Sequence, residues 1–506
     1  MQSRRLLVAL GTLAVIIAVG LLSGPAGFGP GEQSAEAALL SEVKKLLASD
    51  AKGFDNFGWS VAVSGDTAVV GARFHAGAGA AYVFERDQGG AGNWGELKKL
   101  TASDAQAGDQ FGFRVAVSGD TAVVGAFVED AGGTSAGAAY LFERNDGGAG
   151  NWGQVKKLLA SDAQEFDFFG VSVAVSDDTA IVGAYFEAAG GTDAGAAYVF
   201  GRDQGGAGNW GEVKKLTASD ARDFDFFGNS VAVSGHTAVV GANGEDAGGS
   251  AAGAAYVFQR GVGGADNWGE VEKITASNAG ANDFFGQSVA VSGDTAIVGA
   301  FVEDTGGSNA GAAYVFQRDQ GGADIWGEVK KLTASDAQAN DNFGWSVAVS
   351  GDTAVVGALH EDAGGSDAGA AYVFQGGAGN WGELKKLTAS DAQAFDNFGR
   401  SVGVSGDTAV VGAVEFETAG PGAAYVFQEP PLPTPTPCPP EGCPVGGIAE
   451  LPRLDGGQAE AEGAPLEAGG SSGPSVSFLA GVAAAITTGA IALGGAAWYA
   501  RRRWSR

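Results

Sequence analysis

The pair Phe-Gly recurs seven times in this chain, at Phe57, Phe111, Phe169, Phe227, Phe285, Phe343 and Phe398, in steps of 54 to 58 residues. This rhythm restricts the fold more than any other feature, because a unit repeated at fixed period buries its apolar face against its own copies. Each copy carries four segments in one order: one like Glu96-Leu97-Lys98-Lys99-Leu100, the Phe-Gly pair leading into Val115-Ala116-Val117, one like Thr121-Ala122-Val123-Val124-Gly125-Ala126, and one like Ala138-Ala139-Tyr140-Leu141-Phe142. All are short, rich in Val, Tyr and Phe, and bounded by turn residues, so each reads as a strand. Ser118-Gly119-Asp120, between two apolar runs, matches a tight hairpin turn. The central strands do not alternate cleanly, which predicts sheets covered on both faces. Four antiparallel strands per unit and seven units predict an all-β, seven-bladed β-propeller over residues 38–428. A β-solenoid is the rival, and its repeats are usually shorter.

The Phe-Gly pair, the strand after it and the Val-Val-Gly-Ala segment resemble the FG-GAP repeat family, best known as the propeller head of integrin alpha subunits, over residues 42–427. The resemblance implies interaction more than chemistry. No proline ends the Gly-Ala element in any copy, and the family's Asp-x-Asp-x-Asp-Gly calcium loop appears nowhere, so integrin-type calcium binding carries over to no residue. The family's strand order places the strand after Phe-Gly innermost and the Glu-Val-Lys-Lys-Leu strand outermost. The seventh copy lacks an outermost strand, because Phe427 runs into a proline-rich stretch, while the chain begins with a spare, Glu42-Val43-Lys44-Lys45-Leu46. This spare is expected to complete the last blade beside the strands from Ser401 to Phe427. Lysine pairs on the outer strands read as solvated edge charge that discourages sheet-to-sheet aggregation.

The chain ends give an address. Arg4 and Arg5 precede an apolar run from Leu6 to Leu22, so residues 1–37 read as a secretory signal or an uncleaved anchor. Of 14 prolines, twelve lie from Pro421 onward. Residues 429–475 thus read as a polyproline spacer followed by a flexible Gly/Ala/Glu-rich stalk. Within 476–500, the uncharged run Phe478 to Ala500 is long enough for a transmembrane helix, with Trp498 and Tyr499 suited to the interface. Arg501, Arg502, Arg503 and Arg506 make 501–506 a basic cytoplasmic tail. The expectation is an extracytoplasmic propeller anchored to the membrane, as in a bacterial or archaeal surface protein. Cys438 and Cys443 would stand in the stalk, where a local disulfide or pairing between chains is open to them.

The chain carries 30 basic and 59 acidic side chains, a formal charge of -29, which argues against a surface that tracks nucleic acid. One Met, two Cys and three His leave few soft-metal ligands or catalytic bases, and His75, His236 and His360 occupy non-equivalent repeat positions. Each outer-to-inner loop holds an acidic pair five apart: Asp50 and Asp55, Asp104 and Asp109, Asp162 and Asp167, Asp220 and Asp225, Asp336 and Asp341, Asp391 and Asp396, with Asn278 and Asp283 as the departure. Loops between the second and third strands add Glu129 and Asp130, Glu245 and Asp246, Glu303 and Asp304, Glu361 and Asp362. Such carboxylates could bind calcium through oxygen ligands, or cap turns and keep the chain soluble. No other cofactor is expected. The residue after Phe-Gly varies freely, as Trp59, Phe113, Val171, Asn229, Gln287, Trp345 and Arg400, and these would ring the central channel mouth as a ligand-binding surface, neutral drift being the alternative. Trp94, Trp152, Trp210, Trp268, Trp326 and Trp381 recur at one position and read as packing residues. The expected function is a monomeric, non-enzymatic cell-surface module that binds or adheres to extracellular protein or glycan. The alternatives are a structural component of the cell envelope and a hydrolase or lyase using the acidic face.

Overall fold

The computed structural model describes residues 40–377, 380–415 and 419–429. They form seven four-stranded antiparallel sheets, each with its strands hydrogen-bonded in chain order except the last. Blade one comprises Phe57–Ser64, Thr67–Ala72, Ala80–Glu85 and Gly95–Leu100. Ser64 pairs with Thr67 across a two-residue turn in which Gly65 takes φ +56. Blade three reaches the same left-handed region with Asp177, at φ 52.

The second strand of the first blade, Thr67–Ala72, is buried along its whole length, which explains the absent alternation. Its two faces meet two neighbouring sheets. On one side Val69, Ala81 and Val83 pack with Phe111, Val115, Val124, Tyr140 and Trp152 of blade two. On the other, Val70, Tyr82 and Trp94 pack with Val410, Ala424 and Val426 of the last blade. Phe111 of blade two stands edge-on to Tyr140 (5.5 Å) and Phe142 (5.9 Å), a wedge that recurs in every blade. Both repeated glycines answer the same requirement. A Cβ on Gly71 would lie 2.0 Å from the carbonyl oxygen of Gly112, and one on Gly112 would lie 2.2 Å from that of Ala80. The blades therefore touch backbone to backbone at the positions where the sequence keeps glycine.

The ring closes as the sequence predicts. Ser41–Leu46 pairs antiparallel with Ala423–Gln428, giving the last sheet the order 41–46, 423–428, 408–413, 401–405. Glu42 opposes Phe427 and Leu46 opposes Ala424, with a bulge between Glu42 and Lys44.

The chain divides into two units, Met1–Thr434 and Pro435–Arg506. The expected leader 1–37, the stalk beyond residue 429, the apolar segment 476–500, the tail 501–506, and Cys438 with Cys443 lie outside the described residues. Among the described residues no helix is long and apolar enough to cross a membrane.

Candidate functional site

The outer-to-inner loops and the loops between second and third strands meet on one face, because single lysines reach both. Lys157, on the outer strand of blade two, binds Asp104 (2.6 Å) in one loop and the buried Glu129 (2.8 Å) in the other. Lys215 does the same with Asp162 and Glu187, Lys273 with Asp220 and Glu245, and Lys386 with Asp336 and Glu361. These four lysines are thus ties between loops, which corrects their reading as solvated edge charge. Three of the first lysines in the pairs meet an asparagine instead: Lys44 with Asn93 (2.6 Å), Lys98 with Asn151 (2.6 Å) and Lys156 with Asn209 (3.0 Å). Blade five keeps the pattern with a change of chemistry: Asn278 donates to Glu303 (2.9 Å), and Lys331 binds Glu303 and Thr305. In blade one, His75 stands at the glutamate position, with Nδ1 2.8 Å from Asp55 and Nε2 2.6 Å from Lys99 Nζ.

The two aspartates of each loop have different tasks. The first is half-exposed and accepts from a third-strand tyrosine, as Asp50 from Tyr82 (2.7 Å) and Asp104 from Tyr140 (2.9 Å). The Lys99 ammonium, with Tyr82 and His75 assisting against partial burial, brings Asp50 down to about 2. The second is buried and caps its own turn, as Asp167 accepts from the backbone N–H of Gln164 (2.7 Å). Burial, with Glu187, Glu245 and Glu361 nearby, pushes Asp167, Asp225 and Asp341 up to about 6. These carboxylates are engaged by lysine, tyrosine and backbone, and among the described residues no group of three or more His, Cys, Asp or Glu is arranged to hold a metal ion.

The residues after Phe-Gly divide into two groups. Asn229 turns to the backbone carbonyl of Gly286 (3.0 Å), Gln287 accepts from Asn243 (2.8 Å), and Val171 is buried. Trp59, Phe113, Trp345 and Arg400 instead converge. The Arg400 guanidinium lies 3.9 Å from the Trp59 ring and 4.9 Å from that of Trp345. Trp59 and Phe113 are 5.7 Å apart. These four stand on blades six, seven, one and two, so they are consecutive only because the ring is closed.

The same mouth collects residues that the spacing argument misses. Arg73 stacks on Trp59 at 3.2 Å, Phe127 on Phe113 at 4.2 Å, and Phe301 meets Trp345 edge-on at 4.9 Å. Each follows an invariant Gly-Ala, so a second variable position marks them. Arg114 stands 5.0 Å from the Phe113 ring, where the other copies have Ser60, Ser172, Ser230, Ser288, Ser346 and Ser401. Five of those serines donate to a Phe-Gly glycine carbonyl of the next blade, as Ser172 to Gly228 (2.7 Å) and Ser401 to Gly58 (2.9 Å). Burial lowers Arg114 to about 10 and, with Arg114 beside it, Arg73 to about 9; burial first and then both neighbours hold Arg400 well below the usual range.

The histidines take no shared site. His75 belongs to the Asp55 and Lys99 network, His360 meets Asn342 (2.7 Å), and His236 is exposed in a hairpin turn. A closed ring of seven four-stranded blades defines a β-propeller, a fold that fits a binding or adhesion module. The chain belongs to the FG-GAP repeat family, whose repeats match residues 40–84, 94–142, 152–200, 210–258, 268–316, 326–374 and 381–427. A search of curated proteins found no match.

Proposed function

We propose that the chain is a non-enzymatic binding or adhesion module for extracellular protein or glycan, working as a monomer through the channel mouth. The carrying observation is the convergence of Trp59, Phe113, Trp345 and Arg400 from four blades. The fold does not require these side chains, since the other copies place Val171, Asn229 and Gln287 at the same position. Tryptophan and arginine are the residue types that dominate contact energies, and Phe54 and Phe74, 62% and 43% exposed, lie on the same side. Display outside the membrane rests on the apolar segment Phe478 to Ala500 and the arginines after it. A charge of -29 weighs against nucleic acid as partner.

The full chain should be probed on glycan and protein arrays, with and without calcium. Selective capture, weakened in a Trp345→Ser variant of unchanged melting temperature, is the expected result. Silence on both arrays would favour an envelope role, and conversion of an arrayed glycan to product would favour an enzyme.

A further inference from the structure

The channel mouth concentrates Arg73, Arg114 and Arg400 in a chain of net charge -29. On the opposite face the arginines are matched with acids: Arg144 with Asp120 (2.6 Å) and Glu85, Arg202 with Glu143 (2.7 Å) and Asp178 (2.9 Å), Arg318 with Asp294 (3.1 Å). The three arginines of the mouth have no carboxylate partner among the described residues. Arg73 makes one side-chain hydrogen bond, to Asn56 Oδ1 (3.3 Å), and Arg114 one, to the carbonyl of Phe113 (3.4 Å). Arg400 is 8% exposed, lies against the Trp59 and Trp345 rings, and gives none of its five donors to an acceptor among the described residues.

Such an arrangement is costly as it stands. A buried cation without an anion costs several kcal/mol, whereas each cation-π contact returns about 0.5–2 kcal/mol. Arg73 and Arg400 share the Trp59 ring, and Arg114 beside them adds a third like charge that repels both. Arg114 makes the case sharper, because serine at its position ties one blade to the next elsewhere in the ring. The fold alone therefore favours Ser there, and an anion supplied from outside is what the three guanidiniums lack. Around them the rings of Phe113 and Trp345 are half-buried and Phe74 is exposed, flat apolar faces of the kind that stack on a sugar ring.

We propose that the mouth binds an acidic sugar, whose carboxylate or sulfate is held by Arg73, Arg114 and Arg400 and whose ring lies on the aromatic rim of Phe113, Trp345 and Phe74. This rests on the binding-module reading and names its ligand class.

Calorimetric titration of the full chain with hexagalacturonate, a heparin-derived hexasaccharide, maltohexaose and a hexaglutamate peptide tests it. One or both acidic oligosaccharides should bind and maltohexaose should not; hexagalacturonate offers carboxylates alone, so binding of only the heparin hexasaccharide, which carries both groups, would assign the site to sulfate. Arg114→Ser, which installs the residue of the other six blades, should weaken binding about tenfold or more with a melting temperature that holds or rises, and Arg400→Gln should do the same. Equal binding of maltohexaose, equal binding of hexaglutamate, no binding of either acidic oligosaccharide, or undiminished binding in both variants would overturn the proposal. Selective array capture that survives both substitutions would sink this inference while leaving the binding module standing, whereas silent arrays would remove the module itself.

Discussion

Ser390 gives its backbone N–H and its hydroxyl to the two carboxylate oxygens of Glu42, each at 2.9 Å, across 348 residues of chain. The same clasp joins Ser161 to Glu212 and Ser219 to Glu270 between blades that are neighbours in sequence. At the closure it joins the beginning of the propeller to the loop that enters its last blade.

Because Gln154 makes equivalent bonds to Ser103 (2.9 and 3.0 Å), Glu42→Gln should be nearly neutral, whereas Glu42→Ala should cost about 1–2 kcal/mol. Deleting residues 38–47 removes the clasp, a whole strand and the buried Leu46 together. Its thermal midpoint should fall by roughly 10 °C or more, and an unchanged midpoint would argue against the closure.

The glycine contacts between blades predict a graded response. In Gly125→Ala the new Cβ would meet the Gly170 carbonyl oxygen at 2.1 Å, backbone that cannot step aside, so urea unfolding should show a loss of about 3 kcal/mol or more. Gly119→Ala, in a hairpin turn at φ +53 with nothing within 4 Å, should cost only about 1 kcal/mol. Similar losses at the two sites would contradict the packing described.

Stability should decline between acid and neutral pH. Asp167, Asp225 and Asp341 titrate near about 6 when folded, above the roughly 3.9 of an unfolded aspartate, so the folded state holds their protons more tightly. The stability this provides is complete below the unfolded value and is lost as pH rises through about 6. Asp50, at about 2, acts in the other direction, and its contribution is lost as pH falls toward 2. Melting temperature should therefore peak near about pH 4–5, and replacing the three raised aspartates by Asn should flatten the decline from pH 5 to 7. A wild-type melting temperature that rises over that interval would contradict the burial of these groups.

The fold was legible because its requirements repeat. Phe111 as a wedge, Gly71 and Gly112 as contact points and Ser118-Gly119-Asp120 as a turn have counterparts in the other blades, so period and composition exposed them. The mouth was legible in part, because function there depends on departures from the repeat. The variable position after Phe-Gly led to Trp59, Phe113, Trp345 and Arg400, yet it included Asn229 and Gln287, whose neighbours are backbone and amide. Arg114 was missed because it replaces a serine within an otherwise regular strand. The acidic pairs were legible as pairs, but spacing alone could not separate the exposed partner of lysine from the buried turn cap. Glu187 was overlooked because Ala188 follows it, where four other copies have Asp.

Arg400 reaches Trp59 across the junction of the last and first blades, which the strand Ser41–Leu46 closes by pairing with Ala423–Gln428. Residue-resolved amide hydrogen exchange of the full chain tests it most directly. Glu42–Leu46 should be protected as strongly as Glu96–Leu100 on the outer strand of blade one, and exchange of 42–46 at the rate of an unpaired segment would contradict the closed ring.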